Sequence, residues 1–516
     1  MRLSTAPSAL PVGGRPERMD GEAIFDITPA ASALIESLRG LGYSPEASIA
    51  DLIDNSISAG SKSVDINLQW NDGRPTIAIL DDGAGMDSNM LVQAMRLGGA
   101  GSSADRSSTD LGRFGLGLKT ASLSQCRRLT VVTRRDGTTS ALSLDVDVVG
   151  ARGWIATVPS SLPDDPFLTR LLAGAHGTVV FWTRMDPLGG LMGLDKASFF
   201  LRLEVIRAHL GMVFHRFLDG DARRVTISTN GRPVRAWDPF QRDHPSITEM
   251  RSERIRHGAS IFTIKPYVLP HRDRFANEVE YEAAGGPGGW NARQGFYVYR
   301  GKRLLVSGNW LGLGGSRAWT REDSSRLARI EIDLPTDMDT DWRIDVRKSQ
   351  ARPPGYLHSR LTAIAGRCRE QAREVFAWRG QALRPRSPSA VPEPVWIAEG
   401  GPQGRRYRIN REHPAVKAVL TRSDADAKLF KGMLAIIEQA VPVEKIWLDV
   451  SDSQIAPQAA LNDTEAEELA AQLAELARAL PSTRPVSEQV DILLCQIPGE
   501  NPGLRTHLLR ILECRS

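Results

Sequence analysis

Three short stretches between Ser44 and Ser122 constrain the fold of this chain more than anything else in it. They read SPEASIADLIDNSISAG, IAILDDGAGM and DLGRFGLGLKTAS. The first has the punctuation of a helix: Ser44 suits an N-cap, Pro45 the first helical position and Gly60 the stop. Ile49, Leu52, Ile53 and Ile57 recur at helical spacing and predict one buried face. Asp51 and Asn55 are four residues apart, so they share a face and can act on one ligand. A carboxylate there can accept a proton from an attacking water, and an amide oxygen can complete the shell of a Mg2+ ion. A solvated polar face would have the same spacing.

The second stretch runs from an apolar strand, Thr76 to Leu80, into Asp81-Asp82-Gly83-Ala84-Gly85-Met86. Gly83 and Gly85 permit positive φ and close backbone approach. A carboxylate at the end of such a strand can accept a hydrogen bond from an exocyclic amine, although an ordinary Asp-Gly turn reads the same way. The third stretch, Gly112-Arg113-Phe114-Gly115-Leu116-Gly117 followed by Leu118 and Lys119, places bare backbone N–H groups before a helix, where phosphates bind. It lacks the GK[ST] ending of a Walker A loop.

Taken in order, the three stretches resemble the N, G1 and G2 boxes of the GHKL ATPases. That superfamily includes the DNA gyrase B subunit, the ninety-kilodalton heat-shock chaperone, sensor histidine kinases and MutL. LIDNS, DDGAGM and GRFGLGLKTAS are most similar to the MORC-type members. The resemblance implies an α/β fold: a Bergerat-type α/β sandwich that binds ATP and Mg2+, an S5-like α/β transducer domain, then a mostly helical C-terminal module. It implies that Asp51 is the general base, that Asn55 holds Mg2+, and that Asp81 reads adenine beside Thr178 of Gly177-Thr178-Val179-Val180. Gly83, Gly85, Met86, Gly112, Arg113, Phe114, Gly115, Leu116 and Gly117 would shape the pocket, with Lys119 near the phosphates. The family's usual base is a glutamate; Asp51 is one methylene shorter, which points to slow turnover.

The small, polar run from Gly98 to Asp110 then reads as a lid closing over nucleotide. GFYVYRGKRLL and LARIEIDLP resemble the transducer, and Lys348 fits its phosphate-sensing lysine. By the same resemblance the chain forms an ATP-dependent homodimer and works with DNA or DNA-processing proteins, in repair, restriction–modification or phage defence. A non-hydrolysing ATP-gated scaffold and a chaperone-like machine are the alternatives. No histidine helix precedes Asp51, which argues against a sensor kinase.

The remaining sequence sets the frame. A chain of 516 residues has room for several domains. The expected divisions are a tail over 1–23, an ATP-binding domain over 24–219, a transducer over 220–378, a Pro- and Gly-rich linker over 379–405 and a helical domain over 406–516. With 65 basic and 61 acidic side chains, global charge neither favours nor excludes a nucleic-acid partner. Four scattered cysteines show no metal-ligand spacing. No apolar run reaches membrane-spanning length, so a cytoplasmic protein without a membrane partner is expected.

Overall fold

Helix formation begins where the punctuation places it. In the computed structural model, the Ser44 side chain accepts a hydrogen bond from the Ala47 N–H and Pro45 opens the helix Pro45–Ser58. Described residues are 17–19, 22–24, 29–40, 42–97, 117–219, 225–257, 260–315, 317–335, 338, 341–344, 351–377, 395–401, 404–421, 424–441, 463–479, 485–494 and 502–513. The chain divides into two units, Met1–Arg373 and Glu374–Ser516.

In the first unit a short hairpin, β1 (Glu17–Met19) and β2 (Glu22–Ile24), precedes α1 (Ala31–Arg39) and α2 (Pro45–Ser58). Then come β3 (Ser63–Gln69), β4 (Thr76–Asp81), α3 (Ser88–Met95), α4 (Gly117–Leu123), β5 (Cys126–Arg135) and β6 (Thr138–Asp145). They are followed by α5 (Val146–Arg152), α6 (Pro166–Ala173), β7 (Gly177–Met185), α7 (Lys196–Val213), α8 (His215–Leu218), β8 (Thr226–Thr229) and β9 (Arg232–Pro233). Seven strands form one sheet in the order β6-β5-β7-β4-β3-β8-β9. All neighbours are antiparallel except β3 and β8, so the sheet is mixed.

β4 shows why its sequence reads as a continuous apolar run. Ile77 and Ile79 face a core shared with Ile49, Leu52, Ile53 and Ile57 of α2. Ala78 and Leu80 face the opposite layer, with Leu171 of α6. Both faces are covered, so neither carries polar residues.

Two features depart from the sequence reading. The residues Ser140 to Val148 read as one strand paired with Arg128 to Arg134, but the strand stops at Asp145 and gives way to α5, because the Asp145 carboxylate accepts from the Asp147 N–H and caps a helix there. β8 lies beyond the boundary expected at 219/220, yet it pairs with β3 in the first sheet. Strand β3 alternates buried and half-buried positions, a pattern that does not say which strand pairs with its second edge.

A second mixed sheet follows. β10 (Thr248–Glu249), β11 (Glu253–His257) and β12 (Ser260–Val268) lead, through α9 (Glu278–Gly285) and α10 (Gly289–Ala292), to β13 (Gly295–Arg300), β14 (Arg303–Asn309) and β15 (Ala328–Leu334). The order is β10-β12-β15-β13-β14, with β11 on β12; β13 and β15 are parallel. Tyr267, Tyr297, Tyr299 and Leu304 of this sheet belong to the same buried cluster as α2 and β4. The helix α11 (His358–Ala377) follows. The class is α/β throughout this unit.

In the second unit, β16 (Trp396–Gly401) and β17 (Gly404–Ile409) make a hairpin within and just beyond the stretch expected as linker. Helices Pro414–Leu420, Asp424–Ala440, Asp463–Ala479, Val486–Leu494 and Pro502–Glu513 make up most of the other described residues of this unit. Ala466, Ala470 and Ala474 form a small-residue stripe packed on Val490, Leu504 and Leu508. No helix among the described residues is long and apolar enough to cross a membrane.

Candidate functional site

The end of β4 carries the first half of the site. Asp81 is 8% exposed. Its Oδ2 accepts from Ser56 Oγ at 2.9 Å, and its Oδ1 accepts from the Gly83 N–H at 2.9 Å. Burial pushes its carboxyl up to about 6, against the lowering effect of those two hydrogen bonds. Asp81 stands directly opposite Thr178 in the β4–β7 ladder. The Thr178 hydroxyl lies 3.1 Å from Thr133 Oγ1, which accepts from the Met86 N–H at 2.9 Å. Four segments thus bring Ser56, Asp81, Gly83, Met86, Thr133 and Thr178 to one place.

Gly85 explains how that loop fits. Its φ is +65°, and a Cβ there would lie 2.0 Å from the Arg134 carbonyl oxygen. Only glycine lets the loop come so close to β5. Asp82 points away from the site: its carboxylate accepts from Ser61 Oγ at 2.6 Å, from the Lys62 N–H at 2.8 Å and from the Ser63 N–H at 2.9 Å. Burial works against its ionisation, but those donors together hold it below the usual carboxylate range.

α2 supplies the second half. Asp51 and Asp54 are buried, at 2% and 0% exposed, while Asn55 one turn on from Asp51 is exposed. Asp51 Oδ2 accepts from the Tyr43 hydroxyl at 3.2 Å. The start of α4 faces the same oxygen: a Cβ on Gly117 would lie 3.8 Å from Asp51 Oδ2. A carboxylate, an exposed amide and the glycine opening of a helix therefore adjoin. This donor set fits a magnesium-bound polyphosphate: the amide oxygen suits the cation and bare N–H groups suit the anion.

Lys119 is engaged differently from the expectation. Its ammonium is buried and donates to the carbonyls of Ala94 and Arg96 at 2.9 Å each, at the C-terminal end of α3. Those carbonyls are acceptors that the helix leaves unused, at the negative end of its dipole. Burial pulls the ammonium down to about 8. Gly112, Arg113, Phe114, Gly115 and Leu116, the expected lid over 98–110, and Lys348 lie outside the described residues.

Several contributors were not expected from sequence. Ser56 adjoins Asn55 and was legible only once Asp81 had a position. Thr133 is a polar side chain that closes the buried run 129–133 of β5, which is a usable signal. Arg303 of β14 gives none, because its partners lie far away in the chain. Its Nε donates to both oxygens of Asp54 at 3.1 Å. Among the described residues, no cluster of histidine, cysteine and carboxylate side chains could hold a metal unaided.

Comparison with known proteins places this geometry. A family described as histidine kinase-, DNA gyrase B- and HSP90-like ATPase matches residues 43–178. ATPase MORC2B of Mus musculus is 34% identical over 101 residues, 19% of this chain and 10% of that protein. ATPase morc-1 of Caenorhabditis elegans is 31% identical over 98 residues, 19% of this chain and 11% of that protein. The match thus spans about a tenth of the length of these relatives.

Proposed function

With residues 43–178 a GHKL-type ATPase domain similar to those of MORC proteins, we propose that the chain binds Mg–ATP and uses it as a conformational switch. The observation that carries this reading is the buried Asp81 carboxylate, set opposite Thr178 and braced by Ser56 and Gly83. Such an acceptor in a dry pocket selects a base that offers an amine. Asn55 would hold Mg2+, and Gly117 with the preceding Gly112 to Leu116 would hold the phosphates. Bound Mg2+ would neutralise charge on the phosphate oxygens.

Asp51 takes a proton from the attacking water, steered by Tyr43 on one oxygen. Its reach is one methylene short of glutamate, and a misplacement of about 1 Å costs roughly 100-fold in rate. Turnover is slow for that reason. The segment 98–110 closes the site, the second sheet acts as transducer with Lys348 as its sensor, and two chains pair while ATP is bound. The chain would work in the cytoplasm on DNA or with DNA-processing proteins, in repair, restriction–modification or phage defence, as the resemblance of its motifs implies.

The shorter carboxylate at position 51 also favours a second reading, an ATP-gated scaffold that does not hydrolyse. Steady-state hydrolysis and calorimetric ATP binding on three forms of the protein separate the two. Asp51→Asn retains ATP affinity and loses turnover, since only the transition state loses an interaction. Asp51→Glu keeps or raises turnover. Equal, near-zero rates for wild type and Asp51→Asn, with both binding ATP, leave the scaffold standing.

A further inference from the structure

One buried charge joins the second sheet to the helix that carries Asp51. Arg303 opens β14, and its side chain is 6% exposed. Its Nε donates to Oδ1 and Oδ2 of Asp54, each at 3.1 Å. One terminal nitrogen lies 4.0 Å from Asp51 Oδ1. Another donates to the Leu304 carbonyl, and the guanidinium carbon stands 5.4 Å from the centre of the Phe214 ring. The planar group is therefore fixed by its own strand on one side and by α2 on the other.

We propose that Arg303 is a positioning residue that couples the second sheet to Asp51, so that nucleotide binding at α2 is felt in β14 and a shift of β14 re-aims the carboxylate. The inference rests on the nucleotide reading above. Three physical points support it. A guanidinium is a rigid fork, so moving one contact moves the other. The pair is buried, where salt and water screen it least. Asp51 and Asp54 sit three residues apart on one helix, so a guanidinium anchored on Asp54 keeps its remaining donors beside Asp51. The Asp51 carboxylate then has Tyr43, from the segment before α2, on Oδ2 and Arg303 of β14 near Oδ1.

α7 also packs against both α2 and β14, so a plain brace between the sheets is already present. The test must distinguish a coupling role from a brace. Hydrogen exchange of the full chain is followed with and without a non-hydrolysable ATP analogue, alongside calorimetry of the same analogue. In the wild type, the analogue slows exchange in α2 and in 303–309. In Arg303→Met, it still binds and slows exchange in α2, but the protection of 303–309 disappears; ATP turnover falls about 10- to 100-fold with little change in affinity. Arg303→Lys restores part of both effects.

The double variant Arg303→Met with Asp54→Asn removes the buried carboxylate charge that Arg303 faces and regains stability, but neither coupling nor turnover returns. Recovery of all three in the double variant would make Arg303 a charge-balancing brace and overturn the proposal. So would protection of 303–309 that persists in Arg303→Met, or that is absent from a wild type whose α2 is protected. A wild type that binds no analogue removes the nucleotide reading, and the coupling with it.

Discussion

Asp81 holds its place at a cost to the protein without ligand. The folded chain keeps a proton on this carboxyl up to about pH 6, whereas an unfolded chain releases it near the ordinary 3.8. The folded pKa is the higher one, so Asp81 contributes its full stability below 3.8 and loses it as pH rises through about 6. The penalty at neutral pH is about 3 kcal/mol. Asp81→Asn removes it. An asparagine can still accept from the Gly83 N–H and can donate to Ser56, whose hydroxyl is also 3.3 Å from the Leu52 carbonyl. We therefore expect Asp81→Asn to unfold at pH 7 no lower in temperature than wild type, and the advantage to vanish at pH 4. The same variant loses most ATP binding in calorimetry. A less stable variant at pH 7 that binds ATP normally would contradict both parts.

At the scale of elements, α3 and α4 are tied by Lys119. The buried ammonium satisfies two carbonyls at the end of α3, where the chain enters the stretch from 98 to 116. Lys119→Met keeps the apolar stem and leaves those acceptors without a donor. A loss of about 1–3 kcal/mol in denaturant unfolding is expected, together with weaker ATP binding, since the end of α3 frays. Unchanged stability would mean that the contacts carry no weight.

This lysine also marks how far the sequence could be read. The helix α2, the strand β4 and the Asp-Gly turn were legible because caps, periodicity and glycines are local signals. Asp81 opposite Thr178 was legible only by resemblance, and the β4–β7 register supplies its geometry. Lys119 lies two residues past a glycine motif, so phosphate was the local inference, but its partner is set by packing against α3. Arg303 was invisible for the same reason: a long-range contact leaves no periodic trace. Tyr43 lies ahead of α2, outside the helical period that relates Asp51 to its neighbours. Asp145 was misread because one residue ends a strand and caps a helix.

Across the whole molecule, two units divide near Arg373. The first contains both sheets, the α2–β14 contact and the match over 43–178. We expect residues 1–373 to bind ATP as the full chain does. Light scattering with a non-hydrolysable analogue should show the mass doubling, because the bound state offers contacts that the free state lacks. A single-chain mass at saturating analogue, with binding confirmed, would reject pairing. The hairpin β16–β17 arises in a stretch read as linker, because its prolines and glycines flank a short apolar segment, Val395 to Ile397, with too few residues to show a period.

The parallel pairing of β3 with β8 has a consequence for how this chain is made. The strand that begins at 63 gains its second partner only with residues 226–229, after the long helix α7 has been passed. On the ribosome, β3 therefore emerges with one row of N–H and C=O groups unpaired, and it stays so while the intervening residues are synthesised. Val64, Ile66 and Leu68 on that strand are apolar and must be kept from other chains during the interval. The smallest piece with a completed sheet ends past 233, well beyond the residues 43–178 that the family model matches. Folding of this sheet is thus a late event for its length, governed by loop closure more than by local propensity.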